Sequence, residues 1–197
     1  MKHAACSQTF PVRLLGGLLL ALALTAAHAD EYADVNQLLR QGKAPEALAK
    51  ADAYIAGKPR DPQMRFLRGV ILSEQGKPAE ATTAFTQLTQ DFPELPEPYN
   101  NLAALYAAQS QFDKARAALE MAVRLNPNYA TAHENLGDVY LRLAAQSYNK
   151  AQSFATANAS VAPKLTLVRQ IISPTADTAA AALPAAAPQA TKPSSRK

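Results

Sequence analysis

The 197-residue sequence contains no tryptophan, one cysteine and three histidines. The single thiol, Cys6, lies near the N-terminus, so residues 30–197 hold no disulfide, thiolate nucleophile or cysteine-bound metal. Beyond residue 29 only His133 remains of the histidines, and one imidazole cannot supply a His/Cys ligand set. The motifs HExxH and GxSxG and any glycine-rich phosphate loop are also missing. Glu134 and Asp138 fall one helical turn apart, but such carboxylate pairs on a helix are usually solvated surface. Without a nucleophile or cofactor motif no reaction follows: the expectation is a non-enzyme with no cofactor and no metal site. A one-sided charge is missing as well. The formal net charge of +4 comes from the ends, Lys2 and Arg13 on one side, and Lys192, Arg196 and Lys197 against Asp177 on the other. Residues 30–173 are formally neutral, which removes the basic face a nucleic-acid partner would require.

No apolar run reaches the ~20 residues of a membrane-spanning helix. The longest, Leu14–Leu24, follows Lys2 and Arg13 and leads to Ala27-His28-Ala29. A positive start, a short apolar run and an A-x-A end describe a secretory signal peptide, residues 1–29, with cleavage expected after Ala29. Cys6 precedes the apolar run instead of following it, so a lipoprotein anchor is not expected. An exported, alanine-rich chain of this style looks bacterial, with the periplasm as its expected compartment and secretion as the second choice. No stable membrane insertion is expected after cleavage. At the other end, residues 174–197 are Ala/Pro/Ser/Thr-rich and carry one large apolar residue, Leu183. Such a segment cannot bury enough surface to fold and is expected to be a disordered basic tail.

What is present between these ends is periodic. Residues 96–129, PEPYNNLAALYAAQSQFDKARAALEMAVRLNPNY, show apolar positions at helical spacing in two runs. Leu102, Leu105 and Tyr106 mark the first, Ala115, Leu119, Ala122, Val123 and Leu125 the second, and Pro127 stops it. A spacing of 34 then returns elsewhere: Pro59, Pro93 and Pro127; Ala47, Ala81 and Ala115; Gly69, Ala103 and Gly137; Leu38, Leu72, Tyr106 and Tyr140. Gly42 and Gly76 share the position between helices, and the small column at 69, 103 and 137 predicts close helix approach.

Tyr99, Leu102-Ala103, Tyr106, Ala115, Leu119, Ala122 and Pro127 stand at the offsets of a tetratricopeptide repeat (TPR), and the chain resembles that family. The resemblance implies an all-α fold, an α-solenoid of helix-turn-helix units with a C-terminal capping helix. Units are expected at about 28–61, 62–95, 96–129 and 130–158, with the cap at 162–172, together one domain over 30–173. The first unit is degenerate, with helices from about Asp30 to Gln41 and Pro45 to Ala56. Asp34 and Arg68 take the Leu102 column, and Arg68 either snorkels or shifts the register. In the fourth unit Ala144-Ala145-Gln146-Ser147 replaces the turn. Residues 137–157 are therefore either one continuous helix, the favoured reading, or a pair with a reshaped turn.

By the same resemblance, a concave face lined by first helices holds a protein or peptide partner. The facing positions are Tyr32, Asn36 and Arg40; Gln63, Phe66, Val70 and Glu74; Glu97, Asn100, Asn101 and Ala104; and Glu134, Asn135, Asp138 and Arg142. Asparagine both donates and accepts and so bonds a peptide backbone whatever its sequence. Tyr32 and Phe66 would supply apolar contact, and Glu97, Glu134 and Asp138 favour a basic partner. Asn100 and Asn101 are the best-placed contacts, although packing alone explains Asn101 and Asn135. The family's two-lysine clamp for chaperone C-termini is not expected, because its columns hold Phe66, Val70, Thr131 and Asn135 around Asn101. His133 stands in the Tyr99 column and is expected to pack between helices. The function expected is a periplasmic adaptor or assembly factor. A self-associating scaffold, or an accessory to cell-envelope glycan metabolism, is the alternative, and the oligomeric state is open.

Overall fold

The computed structural model describes residues 31–154 and 158–173. The leader, its cleavage point and the basic tail lie outside these residues. Among the described residues there are eight helices and no strand: α1 (31–40), α2 (Ala44–Gly57), α3 (Pro62–Glu74), α4 (Pro78–Asp91), α5 (Pro96–Ala108), α6 (Phe112–Leu125), α7 (Ala130–Gln152) and α8 (Val161–Ile172). From α2 onward each helix packs on the next. The prolines that break helices elsewhere start them here: α2, α3, α4 and α5 all carry proline in the first turn, where the missing N–H has no intrahelical acceptor to lose. Helix α3 is also capped by Asp61, whose Oδ1 accepts from the Met64 N–H at 2.9 Å.

Turns repeat as closely as the helices do. After α1, α3 and α5 the N–H groups of Lys43, Lys77 and Gln111 reach the carbonyls of Leu38, Leu72 and Tyr106 at 2.9, 3.0 and 2.9 Å. Gly42, Gly76 and Ser110 take the left-handed residue of this Schellman motif, with φ of 72°, 68° and 59°. The next member of that column is Ala144, which continues the helix. Alanine disfavours the left-handed region and has the highest helix propensity, so the fourth turn does not form and α7 runs for 23 residues. The favoured continuous helix is therefore present through the lost turn as far as Gln152, and residues 155–157 of the expected stretch lie outside the described residues.

Three linked clusters form the core, between α1, α2 and α3, between α3, α4 and α5, and between α5, α6 and α7. Phe85, Met64, Ile71, Leu72 and Leu88 are fully buried, and each contributes roughly 1.5–3 kcal/mol of apolar burial. Arg68 keeps the helical register: its Nε donates to Asp52 Oδ1 at 2.6 Å across to α2. Asp34, in the same column one unit earlier, pairs with Lys50 of α2. The polar residues in the Leu102 column are thus each used against α2, at half-exposed positions where ion pairs contribute little.

The small column is a close approach in only part of the stack. A Cβ on Gly69 would stand 2.6 Å from Phe85 Cε1, whereas nothing among the described residues comes within 4 Å of one on Gly137. The expectation of close approach fails at Gly137 because no fourth-unit second helix folds back there. His133 also departs from expectation. It is exposed, and its Nε2 lies 2.9 Å from the Pro127 carbonyl, so it braces the preceding turn instead of packing between helices.

Candidate functional site

The first helices α1, α3, α5 and α7 carry the positions expected to face a partner. At the N-terminal end these side chains are tied into the fold. The Tyr32 hydroxyl donates to Asp61 Oδ2, to which Tyr54 also donates at 3.0 Å, and the two rings lie 5.6 Å apart. Burial, then the bonds to Asp61 and Tyr54, push the Tyr32 phenol well above its ordinary pKa. Burial alone would raise the Asp61 carboxyl, but bonds from Tyr32, the Met64 N–H, Tyr54 and the Gln63 N–H hold it below its ordinary value. Tyr32 therefore acts as a half-buried structural brace, and its expected role as an apolar contact is corrected. Asn36 is half-buried and donates to the Tyr32 carbonyl at 2.9 Å, while Arg40 is exposed.

Phe66 requires a second correction. It is 6% exposed and packs on Phe85 at 5.6 Å between ring centres, so it belongs to the core. Periodicity could not distinguish it, because a first-helix aromatic facing a partner and one facing the second helix sit one position apart. Val70 is half-buried against the same cluster; Gln63 and Glu74 are exposed.

The third and fourth units meet through asparagines. Asn135 Nδ2 on α7 donates to Asn100 Oδ1 on α5 at 2.9 Å, and the two residues are 3% and 2% exposed. Asn101, 7% exposed, donates to the Glu97 carbonyl at 2.9 Å. Asn100 is thus not the exposed contact expected of it: its amide carbonyl is used to lock α7 onto α5 in a buried setting, where an unpaired amide would be costly. Asn101 and Asn135 take the packing role. Around this locked seam the carboxylates differ. Glu97 is half-buried, Glu134 and Asp138 are exposed, and none of the three is ion-paired among the described residues. Arg142 is exposed and stacks over the Phe112 ring at 5.7 Å.

The sequence pattern does not single out one buried residue of this region. Tyr129 closes the turn before α7, is 6% exposed, and its hydroxyl has no hydrogen-bond partner among the described residues. Burial and then the charge of Glu97 push its phenol up to about 12. The signal available was its place directly after Pro127-Asn128, where an aromatic can fold back over the helix end. This end of the face therefore carries three carboxylates, Glu97, Glu134 and Asp138, beside the amide-bonded seam of α5 and α7. No cluster of three or more metal-ligating side chains occurs among the described residues, and no described helix is long and apolar enough to cross a membrane.

Comparison with known proteins finds the repeat in two stretches. Residues 32–96 match a family model described as tetratricopeptide repeat, and residues 105–143 one described as TPR repeat. Over 50 residues the chain is 46% identical to the chloroplastic tetratricopeptide repeat domain-containing protein PYG7 of Arabidopsis thaliana, a stretch covering 25% of this chain and 17% of that protein. The chain spans less than a fifth of the length of the curated relatives it matches. The first TPR of Spaghetti (RPAP3) bound to an HSP90 peptide superposes with a TM-score of 0.55 at 21% identity, covering 59% of this chain and 92% of that one. The Yersinia enterocolitica type III secretion chaperone SycD, in complex with a peptide of the translocator YopD, superposes at 0.54 and 17% identity, covering 64% and 95%. At these identities the likeness establishes the fold.

Proposed function

The chain belongs to the tetratricopeptide-repeat family, and from that premise we propose that it is a protein-interaction module whose first-helix face binds a basic peptide or helix of a partner. The observation that carries the reading is the trio Glu97, Glu134 and Asp138 beside the Asn100–Asn135 seam, none of them ion-paired among the described residues. Asp34, Asp52 and Asp91 are already ion-paired; what distinguishes this trio from the other unpaired carboxylates is its place on first helices beside the seam. Structural neighbours support the coarser part, since SycD and RPAP3 hold peptides on this fold. The charge pattern supports the finer part. An acidic C-terminal peptide of the HSP90 kind would find no lysine or arginine in the clamp columns, which hold Phe66, Val70, Thr131 and Asn135. A basic segment would meet the carboxylates, gaining on-rate and specificity through charge complementarity that salt screens.

The module acts without catalysis in this reading, as an adaptor or assembly factor in the periplasm, reached through the leader and cleavage after Ala29. N-terminal sequencing of the exported protein tests that address: a mature chain beginning elsewhere than Asp30, or retention in the cytoplasm, removes it. For the face, a photo-crosslinking residue is placed at Gln63 or Glu134, with exposed second-helix sites Thr83 and Ala117 as controls. Adducts from the first two sites and none from the controls are expected; both yields should fall with added salt, and the yield from Gln63 should also fall on Glu97→Lys with Glu134→Lys. Adducts from Thr83 and Ala117 alone would overturn the assignment.

A further inference from the structure

Among the described residues, the face of α7 that earlier units cover with a second helix stands open. In the second unit the column residue Gly69 receives the Phe85 ring, and Leu72, one turn on, is fully buried. One unit later Ala103 is 1% exposed and Tyr106 half-buried. In α7 the same columns hold Gly137, with nothing among the described residues within 4 Å of a built Cβ, and Tyr140, 47% exposed. The cause is the turn lost at Ala144. Gly137, Tyr140, Ala144, Tyr148 and Ala151 follow one stripe at helical spacing, and α8 returns against its C-terminal part, where Arg169 Nη2 donates to Asn149 Oδ1 at 2.7 Å.

Helix α8 in turn has an uncovered face of its own. Leu165 is 2% exposed, whereas Leu167 and Ile171, four residues apart on the opposite side, are 59% and 54% exposed. Lys164 lies on that outer side, and α8 contains no acidic residue. The α7 slot is edged by exposed Glu134 and by Glu120, which accepts from the Tyr140 hydroxyl at 3.3 Å and has Arg116 at 3.7 Å.

We propose that these two surfaces cover each other between two copies of the chain: Leu167 and Ile171 of one α8 seat against Gly137 and Tyr140 of the other copy's α7, reciprocally, in a two-fold dimer. Phe85 on Gly69 shows what this column accepts, a large apolar side chain delivered by a crossing helix. Lys164 then comes toward Glu134 and Glu120. Because one chain carries both halves of the contact at one end, a two-fold operator satisfies both at once and closes the assembly. The inference concerns the helix-pairing side of α7; Glu134 edges both surfaces, so the crosslinks that separate this inference from the first-helix reading are those from Gln63.

Sedimentation velocity on the full chain over a wide concentration range tests it. A monomer–dimer equilibrium is expected, weakened at least about tenfold by Gly137→Trp and, separately, by Leu167→Asp with Ile171→Asp. The second pair alters exposed positions only, so it reports even if the tryptophan variant misfolds, and helical circular dichroism checks both. In a Cys6→Ser background, mixing a Gly137→Cys chain with a Leu167→Cys chain should give an interchain disulfide, which requires Cα atoms within about 7 Å. A chain that stays monomeric at every concentration, a dimer indifferent to both variants, or a dimer formed only after deletion of residues 174–197 would each overturn the proposal. The last outcome would assign the slot to the chain's own tail. Crosslinks from Gln63 to a partner are unaffected by any of these results, so the two readings fail separately.

Discussion

Replacing Gly69 and Gly137 by alanine, one at a time, measures how differently the fold uses two members of one sequence column. In both helices the substitution removes glycine's backbone entropy cost and gains about 1 kcal/mol of helix propensity. That gain is common to both, so the difference between the variants isolates packing. At Gly137 the new methyl meets nothing within 4 Å among the described residues, and stabilisation by about 1 kcal/mol is expected. At Gly69 it would lie 2.6, 2.7 and 3.0 Å from Cε1, Cζ and Cδ1 of Phe85. Phe85 is fully buried and backed by Phe66, so the ring cannot swing clear. Overpacking of this kind costs roughly 1–3 kcal/mol, which leaves Gly69→Ala between neutral and destabilised by about 2 kcal/mol once propensity is subtracted. Urea unfolding followed by far-ultraviolet circular dichroism, at a concentration where the chain is monomeric, should separate the variants by about 1–3 kcal/mol. In heating experiments each kcal/mol corresponds to about 2–4 °C for a chain of this size. Phe85→Leu in the Gly69→Ala background should recover part of the loss, giving a coupling on the order of 1 kcal/mol between touching residues. Equal effects at the two glycines, or stabilisation at Gly69, would refute the claim that α3 and α4 meet through that residue.

Ser110→Gly relieves a non-glycine residue at φ 59° and is expected to stabilise by about 0.5–1 kcal/mol; a destabilised variant in denaturant titration would count against the Schellman turn. Asn100→Ala strips the acceptor from the buried Asn135 amide and should cost about 1–3 kcal/mol, with hydrogen exchange rising in α7. A change near zero would mean the two helices do not depend on that bond. Asp61→Ala removes the α3 cap and the acceptor shared by two tyrosines, an expected loss of about 1–2 kcal/mol at neutral pH. Because the folded Asp61 carboxyl lies below its ordinary value, its contribution is complete above the unfolded pKa of about 3.9 and fades as pH falls through the folded one. The variant's deficit should therefore shrink on acidification below that point, and a deficit independent of pH would show that the carboxylate form is not what matters.

Much of the architecture is local, and therefore legible. Prolines at 45, 62, 78 and 96 start helices, and the glycines at 42 and 76 end them, because backbone sterics act within a few residues. The 34-residue period aligned the core columns, since repeated local geometry must bury the same face each time. Even the merging of the fourth unit into one helix was accessible from the absence of a turn residue at Ala144.

Which way a first-helix side chain points was a different matter. Phe66, Asn100 and Asn135 looked like partner contacts, yet their burial depends on Phe85, on α7 and on α5, residues far away in the chain. Tyr32 is likewise taken up by Asp61, 29 positions later. Gly137 and Gly69 share a column and a residue type but not an environment, because only the three-dimensional course of α7 and α8 decides whether a helix arrives to fill the space. Composition and spacing determined the helices and their order by steric rules that operate over one turn. The tertiary structure decided which polar groups were already bonded and which faces stayed open, since desolvation and contact depend on everything that comes near.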